Sequence, residues 1–243
     1  MKKSLTFTII VFLISILSAG AQEMKLDDVL NAYYKASGTE KMKDWTTLTV
    51  KGKTIAQGVE FPITLIMKRP SRLRTEAEVQ GMKLIQAFDG QQGWSITPWS
   101  GSSAPQYMTP DEIRIVKEQT DMEGPLYHWK EKGGKAELLG KEDMEGNQVY
   151  KIKLTKASGD IDISYIDAES FILLKTDSKV TIQGNETESE SLYTNYKDLG
   201  GVLMATTITN KMKDQVISQL VIEKTELNLP VSDSLFMKPV VNK

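Results

Sequence analysis

Residues 61–99 read FPITLIMKRPSRLRTEAEVQGMKLIQAFDGQQGWSITPW. Strand side chains alternate with period two, so Phe61, Ile63, Leu65 and Met67 fall on one face of an extended segment. Arg69 is next on that apolar face, while Lys68 points the other way. A guanidinium at the end of an apolar row must find hydrogen-bond acceptors or reach water, because leaving it unpaired in a dry interior is costly. Pro70 removes a ladder donor and favours an extended residue before it, so the strand is expected to end here. Two readings follow for Arg69: a rim side chain snorkelling to solvent, or a donor facing a cavity and bonding something movable across it. On the second reading Phe61, Ile63, Leu65, Met67, Met82, Leu84, Phe88, Trp94 and Ile96 would form the ligand-contacting wall.

Outward from this stretch the pattern stays that of strands. Trp45 to Gln57, Val59 to Arg69, Leu73 to Val79, Met82 to Phe88 and Trp94 to Thr97 are punctuated by turns at Gly58, Gly81 and Asp89-Gly90. Before them, Leu26, Val29, Leu30, Tyr33 and Tyr34 sit at helical spacing, with Asp27 and Asp28 in the first turn and Gly38 past the end. After them, Thr109-Pro110-Asp111-Glu112 is a capping box with proline at the first helical position, and Met108 and Ile113 are placed as a staple. That second helix offers only Ile113, Ile115 and Val116 for burial, so weak packing is expected. Gly124 to Trp129 reads as a loop or one more helical turn.

Strands resume at Tyr150, Ile152 and Leu154, which alternate with lysines. Ile161, Ile163 and Tyr165 then alternate with Asp160, Asp162 and Ser164. Phe171 to Ile182, Glu186 to Tyr196, Val202 to Thr209 and Gln215 to Glu226 follow, each presenting one polar face as antiparallel sheet with one side in water does. The fold class is mainly β (α+β). One large antiparallel curved sheet is expected to form an incomplete β-barrel of about 11 strands, a size that leaves either a plugged interior or a cavity. Two or three helices cap it, with Leu30, Tyr33, Tyr34, Ile113 and Val116 as plug or lid residues.

The amino terminus carries Lys2 and Lys3, an apolar run from Leu5 to Leu17 and small residues Ala19-Gly20-Ala21, the form of a secretory signal cleaved near Ala21. The run is too short for a comfortable membrane span. Residues 1–21 are therefore read as signal and 22–243 as a single exported domain, since no linker, repeat or low-complexity block divides it. The 243 residues contain no cysteine, which removes disulfides and thiol chemistry, and a lipidated cysteine at the cleavage point with them. A formal charge of −2 argues against nucleic acid and anionic membrane surfaces as partners.

Catalytic signals are sparse. His128 is the only histidine, which excludes a two-histidine metal site, and no G-x-S-x-G elbow or glycine-rich phosphate loop occurs. Neither a cofactor nor an enzyme activity is expected. The Glu186-Glu188-Glu190 row reads as a solvated strand face that discourages edge pairing. Eleven methionines, among them Met67, Met82, Met108, Met122 and Met204, suit either ordinary core filling or a wall that adapts to irregular apolar ligands.

The succession of an apolar strand, Lys68-Arg69-Pro70, another strand, Asp89-Gly90, Trp94 and Pro98 resembles the LolA/LolB-like superfamily of periplasmic lipoprotein carriers. The motif set covers roughly forty residues, and the rest agrees in element order. The resemblance implies a half-barrel under three helices and a periplasmic carrier of lipoprotein acyl chains, or of another lipid, toward the outer membrane. It also implies an inner-membrane release complex and an outer-membrane acceptor as partners of a monomer, with the arginine matching Arg69 acting as a latch on the lid. The chain departs from the compact carriers in its extra length around Thr109 to Lys135 and in lacking their tryptophan on the second strand, where Leu65 or Ile66 stands. Sequences of this look include non-catalytic relatives that sense lipid or dock a protein partner in envelope-stress signalling.

Overall fold

The computed structural model describes residues 24–97, 99 and 104–240; residues 1–21, expected to be a signal, and Pro98 lie outside them. Helix α1 (Leu26–Ser37) is followed by a 3-10 turn (Thr39–Asp44). Then come β1 (Thr47–Ala56), β2 (Val59–Lys68), β3 (Arg72–Val79), β4 (Met82–Phe88), β5 (Gly93–Ile96) and β6 (Gln106–Tyr107). Helix α2 (Pro110–Gln119) separates these from β7 (Lys135–Met144), β8 (Asn147–Thr155), β9 (Ile161–Asp167), β10 (Leu173–Ile182), β11 (Asn185–Asp198), β12 (Leu203–Met212) and β13 (Gln215–Leu227). All thirteen strands form one antiparallel sheet in the order β6-β5-β4-β3-β2-β1-β13-β12-β11-β10-β9-β8-β7. It is an unclosed barrel with two more strands than expected.

Tight hairpins set this meander. Gln57 and Gly58 both take positive φ, 50° and 78°, as a two-residue turn matched to the right-handed strand twist requires. The pairs at 80–81, 145–146, 183–184 and 213–214 do the same. At Asp89 the side chain closes the β4–β5 turn instead, accepting from the amides of Gln91 and Gln92, each at 2.8 Å. Strand β7 was not anticipated from sequence. It has few apolar residues, and a bulge between Leu138 and Gly140 interrupts its period. As an edge strand it is fringed by Lys135, Glu137 and Lys141, charges that discourage further pairing.

Two apolar clusters share the inner face. One joins Trp45, Leu48, Val50, Met67, Leu73, Phe88, Met108 and Val116, with Ile113 and Met122 packed on it, and so seats α2 against the first half of the sheet. The other joins Val29 and Leu30 of α1 to Leu126, Tyr150, Ile152, Leu154 and Ile166 in the second half. The capping box at Thr109 and Glu112 forms as expected. Val116 is fully buried, so α2 packs more firmly than its composition suggests, because Ile113 and Val116 share one helix face. No helix among the described residues is long and apolar enough to cross a membrane.

Strand β9 reverses the burial its sequence suggests. Asp162 pairs with Leu154 and Ser178, and Ser164 pairs with Ile152 and Thr176. Directly opposed residues share a face, so the polar row Asp160-Asp162-Ser164 points inward, and each member is 4 % exposed. Tyr165 lies on the outer face, its hydroxyl on Asp177 at 2.7 Å, with Lys151 and Lys175 over its ring.

Candidate functional site: an inner cavity under two helices

Arg69 closes the end of β2 and bonds two segments that follow the helices. Its Nε donates to the carbonyl of Trp45 at 2.7 Å and its Nη2 to the carbonyl of Met42 at 2.9 Å, both just after α1. Nη2 also reaches Oε1 of Glu123, beyond α2, at 2.5 Å. The strand brings the guanidinium to the rim; the acceptors come from residues 27 before it and 54 after it in sequence. Ser71 adds a hydroxyl contact to Thr120 at 3.0 Å, so the same corner holds the end of α2 twice.

The register divides the expected wall between two faces. Leu48, Met67, Leu73 and Phe88 are successive cross-strand partners, as are Val50 and Leu65, and Gly52, Ile63, Ala77 and Leu84. Phe61 and Met82 continue this inner face toward the hairpin tips, where Phe61, Ile63, Met82 and Leu84 are half-buried. Met67 and Phe88 are buried in the cluster beneath α2. Trp94 and Ile96 pair with Ala87 and Ile85, which places both on the outer face. There the indole Nε1 donates to the carbonyl of Phe236 at 2.8 Å and Arg74 lies 5.3 Å from the ring centroid. Ile63 borders a shallow hollow of about 140 Å³.

The large cavity is elsewhere. About 870 Å³ lies between the inner face of β8–β11, the cavity side of α2, the segment 121–134 and Tyr33 of α1, within the roughly 300–1,000 Å³ of small-ligand sites. Leu126, Trp129, Leu154, Leu173 and Tyr33 give it apolar walls, while Lys156, Asp162, Ser164, Thr176, Ser178 and Tyr193 line it with polar groups. Of the expected lid residues, Tyr33 borders this space. Leu30 is buried against β7–β9, and the Tyr34 hydroxyl donates to the carbonyl of Leu126. Ile113 and Val116 face the other cluster. Burial, more than its neighbour Tyr193, pushes the Tyr33 phenol up to about 12.

Charged side chains fasten α2 over this space. Arg114 pairs with Asp160 and donates to the carbonyl of Thr181 at 2.5 Å. Glu118, one turn on, meets Lys156 at 3.1 Å and the Ser158 hydroxyl at 3.2 Å. Lys156 also binds Asp162 at 2.9 Å, and Asp162 accepts from Ser178 at 2.8 Å. Burial alone would lower the Lys156 ammonium, but the carboxylates of Asp162 and Glu118 outweigh it and the pKa rises. Burial likewise opposes ionisation of Asp160, yet the Thr181 amide and the Arg114 guanidinium hold its carboxyl below the usual range.

His128 stands apart from these groups. Its side chain is exposed, with Nδ1 3.4 Å from Glu131 and its ring 4.2 Å from that of Tyr127. Sequence reading missed Glu123, Lys156, Asp162, Ser164, Thr176, Ser178 and Tyr193. A row of aspartate, serine and threonine on facing strands was the available signal, but alternation alone assigned it to solvent.

No family model matches the sequence, and no curated protein matches it. The fold, however, recurs among solved structures. A LolA superfamily protein from Nitrosomonas europaea superposes with a TM-score of 0.58 at 14 % identity, over 88 % of this chain and 98 % of the other. A DUF1329 family protein from Desulfovibrio piger gives 0.57 at 11 % identity, over 86 % and 97 %. A putative outer membrane lipoprotein-sorting protein domain from Vibrio parahaemolyticus gives 0.55 at 9 % identity, over 86 % and 97 %. The chain therefore has a LolA-like fold.

Proposed function

We propose that this LolA-like chain is a non-catalytic periplasmic carrier that shelters acyl chains of lipoproteins, or of another lipid, and delivers them toward the outer membrane. The observation that carries the reading is the 870 Å³ space roofed by helices whose following segments are tied to the rim by Arg69. The LolA-like fold and the lipoprotein-sorting description of the Vibrio domain support it.

Energetics require a device of the Arg69 kind. Each buried methylene is worth roughly 0.8 kcal/mol, so one sixteen-carbon chain grosses on the order of 10 kcal/mol. A rigid pocket of that affinity would retain its cargo. A competing closed state lowers net affinity, because a ligand shifts an equilibrium only by its differential affinity for the two states. In the closed arrangement Arg69 holds the carbonyls of Met42 and Trp45 and the carboxylate of Glu123. Cargo that lifts the helices breaks those bonds, and their reformation favours release.

The test has two parts. Native mass spectrometry after mild extraction is expected to find acyl-bearing material on the wild-type protein; a chain that instead uses the half-barrel to dock a protein partner carries none. Arg69→Leu is expected to load such material yet hand it to acceptor membranes slowly, and transfer at the wild-type rate would overturn the latch.

A further inference from the structure

The cavity carries a built polar stripe that an acyl carrier does not require. Along β9 and β10 the row Asp162–Ser178 is followed by Ser164–Thr176, and then by Ile166–Leu173. Polarity thus changes to hydrocarbon over the five residue steps from Ser178 to Leu173, roughly 16 Å of strand. The polar end is buried: the side chain of Asp162 is 6 % exposed and that of Lys156 18 %. A hydrocarbon chain laid over that end would strip water from an ion pair and several hydroxyls while returning no hydrogen bond, a net cost. Such a stripe rewards a ligand with a polar head and one tail.

Chemistry narrows the head. The Lys156 ammonium has three donors, of which Asp162 and Glu118 engage two. The third calls for an acceptor oxygen. The hydroxyls of Ser164, Thr176 and Tyr193 border the same space and both donate and accept. Arg114, Lys117 and Lys132 border the wider cavity, but Lys156 itself sits between two carboxylates, so an anionic head seated on it meets repulsion from Asp162 and Glu118. A quaternary ammonium offers no acceptor to Lys156. We propose, resting on the carrier reading above, that this stripe seats the uncharged ester-linked head of a monoacyl lipid. The ester carbonyl accepts from Lys156, and the head's hydroxyls bond Ser164 and Thr176. The tail runs toward Leu173, Leu126 and Trp129.

The experiment uses the exported chain, the neutral fluorophore N-phenyl-1-naphthylamine as the bound probe, and three competitors of equal chain length: 1-dodecanoylglycerol, dodecanoate and dodecyltrimethylammonium. The glyceryl ester is expected to compete about tenfold better than either charged amphiphile, the effect of one hydrogen bond to a charged donor. Lys156→Met is expected to erase that preference, which is read as the ratio of competition by the three amphiphiles on the variant itself and so does not depend on its absolute affinity for the fluorophore. The near-isosteric Thr176→Val keeps the charges and is expected to reduce the preference by a smaller factor; melting curves establish that both variants fold. Equal competition by all three amphiphiles, or a preference kept in both variants, overturns the head-group seat and leaves the carrier reading standing. Failure of the fluorophore and of every amphiphile to bind overturns both.

Discussion

The Nη2 of Arg69 and the Oε1 of Glu123 meet at 2.5 Å, joining the end of β2 to the segment after α2. The Glu123 side chain is only 13 % exposed, so removing the guanidinium strands a carboxylate with little access to water. Arg69→Leu is expected to destabilise the fold by about 2–3 kcal/mol, as losses of hydrogen bonds to charged groups do. Adding Glu123→Leu is expected to restore part of that loss. Urea denaturation of the two single variants and the double variant measures the coupling, and strictly additive losses would contradict it.

Asp160 makes the fastening of α2 sensitive to acid. Its folded-state pKa is depressed, so its contribution is complete above the unfolded value of about 3.9 and disappears as pH falls through the folded value. Asp160→Asn is therefore expected to be less stable than wild type at pH 7, with the deficit beginning to shrink only as pH falls below about 3.9 and continuing to shrink as the pH is lowered further. Denaturant midpoints across that range check the sign; a deficit that stays constant rules out the ionised pairing with Arg114 as its source.

The outer face of β3–β5 depends on the C-terminal segment. Phe236 is fully buried, its carbonyl accepts from Trp94, and the neighbouring Leu235 carbonyl accepts from Arg74 at 2.8 Å. Phe236→Ala is expected to cost about 3–5 kcal/mol, the usual range for a buried phenylalanine. Calorimetry or urea unfolding reads it, and a loss below about 1 kcal/mol, typical of exposed positions, would place the ring outside the core.

Two glycines separate backbone strain from crowding. Gly38 caps α1 at φ +70°, and an added Cβ would strike the carbonyl oxygen of Gly201. Gly58 has φ +78° at a hairpin tip with nothing within 4 Å of the added atom. Gly58→Ala is expected to cost about 1–2 kcal/mol from left-handed strain alone. Gly38→Ala should cost more, because a backbone oxygen cannot step aside, and melting temperatures of the two variants give the comparison.

Much of the fold was legible along the chain. The capping box at Thr109 and Glu112 and the period-two runs between tight turns located α2 and most strands within a residue or two, because these signals are local. Arg69 was legible as a donor in need of acceptors, since a guanidinium cannot discard its charge. What it would bond was not legible: Met42, Trp45 and Glu123 are separated from it by long stretches of chain.

The residues by themselves determined a β-rich meander with two inserted helices and a cation at the end of an apolar strand. Only the folded arrangement decided which face of each strand turns inward. Alternation separates two faces without ranking them, and the winner depends on what arrives from elsewhere. Asp162 and Ser164 are buried because Lys156 and Ser178 meet Asp162 and α2 roofs the space, whereas Trp94 turns outward because Phe88 pairs with Gly93 and the Phe236 carbonyl accepts its indole N–H. A carboxylate survives burial only beside its counter-charge, and that pairing exists only once the chain has folded.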